Sequence, residues 1–292
     1  MTLQVKLEGR SGCPIRIVEK EGQIFVNKGS ASLSYNDRLR KQSSKQNAFK
    51  SIYPKNSSLH APEVFSVGVS PDGLAFFEME YVLGEKFSDF FPGLALPQLD
   101  LVVEIFINYF QSAIENAPFM EVPIETTKLK TEEVLQKVMP MTHYSSELKA
   151  ALFGFLNDKK PRAPLPQSFC HGDFTLSNML FKENGQIYVF DFLDSFIESP
   201  LIDLVKFRQD TKFLWSVLID ENLENHKVIK VMQILNYIDS KLSLFLFGMP
   251  QDLQQWYNYL EVFNLARIMP YAQKQGDIQF LNKSLTKLLN KI

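Results

Sequence analysis

Leu3, Val5 and Leu7 alternate with Gln4, Lys6 and Glu8, the period of two that a half-buried strand requires. Gly9-Arg10-Ser11-Gly12 interrupts the pattern, alternation resumes at Ile15 and Ile17, and Glu21-Gly22 marks a second turn. Ile24, Val26 and Lys28 then share one face of a third strand. Polar helix formers fill Asn36 to Ile52, with Leu39, Phe49 and Ile52 as the buried positions, before Pro54 and Asn56-Ser57-Ser58 mark a loop. Two more strands are expected at Glu63 to Gly68 and Ala75 to Val82, separated by Pro71-Asp72-Gly73. Beyond Gly84 the spacing of apolar residues changes to three and four. Leu101, Ile105 and Tyr109 form one row, and Val102, Phe106 and Phe110 the next. A second helical zone runs from Thr131 to Leu156 with a break at Pro140. Val228, Val231, Leu235, Ile238, Leu242 and Phe245 line a helix stopped by Gly248 and Pro250, and Leu253, Trp256, Tyr257 and Leu260 begin another. The pattern predicts an α+β chain of two lobes: a small antiparallel sheet lobe over residues 1–84 and a larger, mainly helical lobe over residues 85–292.

Composition narrows the classes. With 45% hydrophobic residues in 292, the chain can bury a substantial core. A formal charge of −2 gives no basic footprint for nucleic acid. Arg38, Arg40, Lys41 and Lys45 read as a solvated helix face. No run of about 18 apolar residues is present, so no membrane span is expected. The N-terminus lacks the apolar segment of a secretory signal. Cys13 and Cys170 have no paired spacing, which favours a reducing, cytoplasmic setting. Trp215, Trp256 and Tyr257 could stack on a cationic or sugar ligand, although their helical spacing is that of core residues. His60, His143 and His226 have no partner at ligand spacing.

The chemistry is concentrated between Cys170 and Lys206. His171-Gly172-Asp173 is followed by Asn178, then by Asp191 at the end of the apolar run Ile187-Tyr188-Val189-Phe190, then by Asp203. Asn184-Gly185 is a hairpin signal that folds the second carboxylate back toward the first. Kinase-type phosphoryl transfer needs a carboxylate near the attacking hydroxyl, with an amide and another carboxylate holding Mg²⁺ over the phosphates. These residue types in this order meet that need. Upstream, a small-residue turn between strands and a lysine at a strand end suggest backbone N–H groups and an ammonium directed at phosphates.

Three pieces, HGDFTLSN, YVFDFLD and PLIDLVK, together resemble the aminoglycoside phosphotransferase and choline kinase superfamily, whose fold is similar to that of protein kinases. The resemblance implies that Asp173 orients or deprotonates a substrate hydroxyl while His171 braces its loop. It implies that Asn178 and Asp191 hold Mg²⁺ and that Asp203 ties the loop to a helix. Lys28 would grip the nucleotide phosphates beside Gly9, Ser11 and Gly12, and Glu80 to Val82 would form the adenine-binding hinge. ATP is the implied donor, with GTP open, and the implied partner is a small hydroxylated metabolite such as choline, ethanolamine, a sugar, an amino alcohol or an aminoglycoside. Asp194 matches an acid of some members. The helix from Asn36 to Ile52 has no glutamate to pair with Lys28, so Gln46 or Gln42 would stand in, and Leu193 occupies a position where glycine is common. Gly172 replaces the arginine of a protein kinase's HRD, and only eleven residues separate Asp191 from Asp203, too few for a long activation segment. A small-molecule kinase is the expected function. The other reading is a catalytically silent nucleotide-binding module.

Overall fold

In the computed structural model, which describes residues 5–8, 12–52, 58–220 and 223–291, the alternating N-terminal stretch forms strands β1 (Val5–Glu8), β2 (Pro14–Lys20) and β3 (Gln23–Gly29). Helix α1 (Asn36–Ile52) follows, then the short β4 (Leu59–His60), β5 (Val64–Val69), β6 (Ala75–Glu80) and the single-turn α2 (Phe87–Phe90). Five of these strands make an antiparallel sheet in the order β1-β2-β3-β6-β5, with Lys28 opposite both Ile15 and Phe77. Strand β6, between β3 and β5, alternates buried Ala75, Phe77 and Met79 with half-buried neighbours, and Leu39 of α1 packs on that row. Ile52, expected inside, is half exposed, because the buried face of α1 consists largely of Gln42, Ser43 and Gln46 rather than aliphatic groups.

The helical part begins with α3 (Leu96–Glu115), the two-residue β7 (Phe119–Met120), α4 (Ile124–Val138) and α5 (Ser146–Asp158). Pro140 falls in the gap between α4 and α5, and Ser145 caps α5 by accepting from the Leu148 N–H at 3.2 Å. The two-residue β8 (Leu165–Pro166) pairs with β7. Then come β9 (Met179–Phe181) and β10 (Ile187–Val189), joined by the Asn184-Gly185 turn, in which Gly185 takes a φ of 82°. β10 also runs parallel to β4, with Ile187 opposite Leu59. The remainder comprises α6 (Pro200–Thr211), α7 (Trp215–Ile219), α8 (Asn225–Phe247), α9 (Gln251–Ile268) and α10 (Gln275–Leu289).

The chain divides into two units, 1–94 with 171–194 and 95–170 with 195–292. The sequence suggested a single boundary at Gly84; the structure instead assigns residues 171–194 to the first unit, because the β9–β10 hairpin joins β4. In the second unit every residue of α6 is buried. Arg208 makes a bidentate contact with Asp239 of α8 at 2.8 and 3.0 Å, and Lys212, just past α6, donates to both oxygens of Glu261 at 2.7 Å. Phe207 packs on Phe106 of α3, ring centroids 4.3 Å apart. Trp215, Trp256 and Tyr257 are buried, so they belong to this core rather than to a stacking surface. No helix among the described residues is long and apolar enough to cross a membrane.

Candidate active site

The β9–β10 hairpin sets the local geometry of the site. Register pairing of Val189 with Met179 continues one step further, where the Phe190 N–H donates to the Asn178 carbonyl at 3.1 Å. Asn178 and Asp191 therefore sit at the same end of the hairpin, one on each strand's extension. Both hydrogens of the Asn178 amide go to Asp173, at 2.9 Å to its carbonyl and 3.1 Å to Oδ2. This leaves the amide oxygen Oδ1 for another partner. Asp173 is half-buried and Asn178 is buried.

His171 lies completely inside, with its Nδ1 accepting from the Asp173 N–H at 3.2 Å and its Nε2 3.0 Å from the Phe190 carbonyl. An accepting Nδ1 requires the single proton on Nε2, which donates to Phe190, so the ring is neutral and links the Asp173 loop to β10. Burial pushes its pKa down to about 4. As pH falls below about 6.5, the unfolded chain takes up a proton that the fold refuses until about pH 4, so stability drops through that window. The expected loss is about 3 kcal/mol. Denaturant unfolding at neutral pH and near pH 4 measures it, and His171→Gln should remove this part of the pH dependence.

Gly172 has a φ of 83°, and a Cβ there would lie 2.1 Å from the Leu193 carbonyl oxygen. Only glycine permits this approach. The Leu193 N–H donates to the His171 carbonyl at 2.8 Å, so the loops carrying Asp173 and Asp191 are bonded backbone to backbone. Asp191 itself is left-handed, with a φ of 66°, a conformation that aspartate tolerates better than most residues.

Lys28 is buried, and its Nζ donates to Asp191 Oδ1 at 2.6 Å and to Gln42 Oε1 at 2.9 Å. Of the two amides that could meet this lysine, the structure selects Gln42. Gln46 is not at the lysine; its amide donates to the Pro62 carbonyl at 2.8 Å and to the Met79 sulfur, because it lies one turn further along α1. Two residues expected on a solvated face of α1 also point here. Lys45 donates to the Leu193 carbonyl at 2.7 Å, and Lys41 lies 3.2 Å from Asp194 Oδ2. The sequence carries a faint signal for this: lysines at i and i+4 beside Gln42, on a helix whose sole acid is Asp37, and a partner segment bearing Asp191 and Asp194.

Gly9 and Ser11 lie outside the described residues. Gly12 has a φ of 71° with open space where a Cβ would stand, the backbone of a tight turn. Glu80 closes β6 by donating its N–H to the Glu63 carbonyl at 2.8 Å and accepting from the Glu63 N–H on Oε2, and Val82 is buried. Asp203, fully buried in α6, accepts from the Tyr109 hydroxyl at 2.8 Å. Cys13 and Cys170 are buried, and the Cys170 thiol donates to Glu198 Oε2 at 3.3 Å.

The donor chemistry here suits a hard cation. Asn178 Oδ1 and the second oxygen of Asp191 are both oxygen donors at one end of the hairpin. Mg²⁺ is usually held by one or two such side chains while phosphates and water complete its octahedron. No group of three His, Cys, Asp or Glu side chains able to hold a metal occurs among the described residues.

Comparison with known proteins converges on one family. The model of the phosphotransferase enzyme family matches residues 48–224. No curated protein sequence matches the chain. Among solved structures, a GDP complex of an aminoglycoside 2'-phosphotransferase-IIIa variant is similar over 99% of this chain and 91% of its own, with a TM-score of 0.59 and 15% identity. A thermostable variant of aminoglycoside phosphotransferase APH(4)-Ia, in ternary complex with ADP and hygromycin B, gives 0.61 at 13% identity over 98% and 93%. An aminoglycoside-3'-phosphotransferase of type VIII gives 0.55 at 18% identity over 90% and 93%. The fold is that of the protein-kinase-like phosphotransferases, with a small antiparallel sheet and a mostly helical remainder.

Proposed function

The chain belongs to the phosphotransferase enzyme family, and from that premise we propose that it is a small-molecule kinase that transfers the γ-phosphoryl group of ATP to a substrate hydroxyl. The observation that carries the reading is the Asp173–Asn178 hydrogen-bonded pair at the hairpin end that also presents Asp191, with Lys28 bonded to that carboxylate.

Asp173 would accept the hydroxyl proton as the new oxygen–phosphorus bond forms and the bond to the β-phosphate oxygen breaks, releasing ADP. Asn178 holds the Asp173 carboxylate through Oδ2. Lys28 would bring a positive charge to the nucleotide phosphates, and Gly12 a turn that phosphates can approach closely. Asn178 Oδ1 and Asp191 would hold Mg²⁺, which when bound neutralises charge on the transferring phosphate. Catalysis of this kind rests on positioning and electrostatic stabilisation. ATP is the donor proposed, and GTP is the second to be run, since one structural neighbour is a GDP complex. Action on a free metabolite in the cytoplasm belongs to the same reading.

The test is nucleotide binding with and without Mg²⁺, followed by γ-phosphate loss across a panel of alcohols, sugars, amino alcohols including choline and ethanolamine, and aminoglycosides. Metal-dependent binding with turnover on one hydroxylated class is expected. Binding without turnover anywhere in the panel would instead support a silent nucleotide-binding module, for which the absent helix glutamate is the motivating feature.

A further inference from the structure

We propose that Lys45 is a positioning residue: its ammonium, bonded to the Leu193 carbonyl, holds the Asp191–Asp194 segment in the conformation that presents Asp191 to the nucleotide-bound metal. The proposal rests on the kinase reading for its catalytic consequence, and on geometry alone for the clamp itself.

The Leu193 peptide is the joint between the two halves of the site. Its N–H donates to the His171 carbonyl at 2.8 Å, and its carbonyl receives Lys45 Nζ at 2.7 Å. The same carbonyl oxygen stands where a Cβ on Gly172 would have to go. The two peptide units that flank the Leu193 Cα thus meet the Asp173 loop through one and α1 through the other. Two residues earlier, Asp191 holds a left-handed φ of 66°, and such a conformation persists only when its surroundings fix it. Helix α1 lies along this segment for two turns. Phe49 packs on Phe192, ring centroids 5.4 Å apart, and Gln42 shares Lys28 with Asp191. Lys41 and Asp194 form an ion pair that is open to water on both sides, so it adds little. Lys45 is half-buried, and its bond to Leu193 goes to a backbone group that cannot rotate away. In this chain a cation on α1 therefore grips the metal-binding segment directly.

The test compares Lys45→Met, which keeps most of the aliphatic stem, with Lys45→Arg, which keeps a donor. Two quantities are followed: hydrogen exchange at the Leu193 amide and the Mg²⁺ concentration needed for half-maximal turnover. Lys45→Met should speed Leu193 exchange and raise the Mg²⁺ requirement about tenfold or more, while nucleotide affinity measured in EDTA stays within about twofold. Lys45→Arg should restore both. Unchanged Leu193 exchange in Lys45→Met would overturn the clamp, as would equal losses in both variants. A general loss of protection, seen as faster exchange in β6 as well, would also overturn it, because the effect claimed is local. If the wild-type chain neither binds Mg²⁺-nucleotide nor turns over, the kinase reading fails, yet the exchange measurement still decides the clamp.

Discussion

Asp173→Asn should lower turnover by about a hundred- to ten-thousandfold while leaving Mg²⁺-nucleotide affinity within about twofold. The substitution exchanges one oxygen of the carboxylate for an amide nitrogen and changes almost nothing else. Asparagine at this position still offers an oxygen to the Asn178 amide, which now donates to Oδ2 at 3.1 Å, and the second Asn178 bond goes to the backbone carbonyl at 2.9 Å. The His171 ring accepts from the Asp173 main-chain N–H, so that hydrogen bond does not depend on the side chain. What disappears is the group that can take a proton from a hydroxyl. Initial-rate measurements at saturating nucleotide, beside a nucleotide titration on the same preparation, separate the two effects. Turnover within about tenfold of wild type would remove Asp173 from the role of base and leave positioning as its only contribution.

Much of this was legible in the sequence because it depends on local rules. Alternation of apolar residues identified β2, β3 and β6, and helix α1 falls on the very span whose polarity and helix formers predicted it. The Asn184-Gly185 turn implied the hairpin that brings Asn178 and Asp191 to one end. Local rules failed where tertiary contacts decide. β4 is two residues long and exists only as a parallel partner of β10, which no periodicity in Leu59-His60 could reveal. Ile52 looked buried by type, as Leu39 and Phe49 did and are, but it is half exposed, and the inward face of α1 also carries Gln42, Ser43 and Gln46. The choice between Gln42 and Gln46 turns on helical phase against a strand far away in sequence. Arg38, Arg40 and Lys41 are exposed as expected, whereas Lys45 is half-buried because its acceptor, the Leu193 carbonyl, is a backbone group that leaves no trace in composition.

Asp191→Ala is expected to do two separable things, because the carboxylate has two oxygens with different duties. Oδ1 takes the Lys28 ammonium at 2.6 Å, and the lysine side chain is only 5% exposed. Removing the acid strands a buried cation with the neutral Gln42 oxygen. Breaking a buried pair in this way costs roughly 3–5 kcal/mol, and the 30% exposure of the aspartate side chain brings this case below that range, to about 2–3 kcal/mol. Alanine also tolerates the left-handed φ of 66° less well than aspartate, so Asp191→Asn should be the less destabilised variant of the two. Combining Asp191→Ala with Lys28→Met should recover part of the loss, since it removes the stranded charge. The other oxygen is the proposed metal ligand, and for it the readout is nucleotide affinity. With Mg²⁺ in excess, both Asp191→Ala and Asp191→Asn should weaken binding by roughly a hundredfold or more, whereas in EDTA they should bind almost as the wild type does. Asparagine retains a neutral oxygen, so it should fall short of alanine's loss. An equal loss with and without metal would mean that Asp191 acts on the nucleotide only by orienting Lys28, and normal Mg²⁺-nucleotide binding in Asp191→Ala would take the cation away from this hairpin altogether.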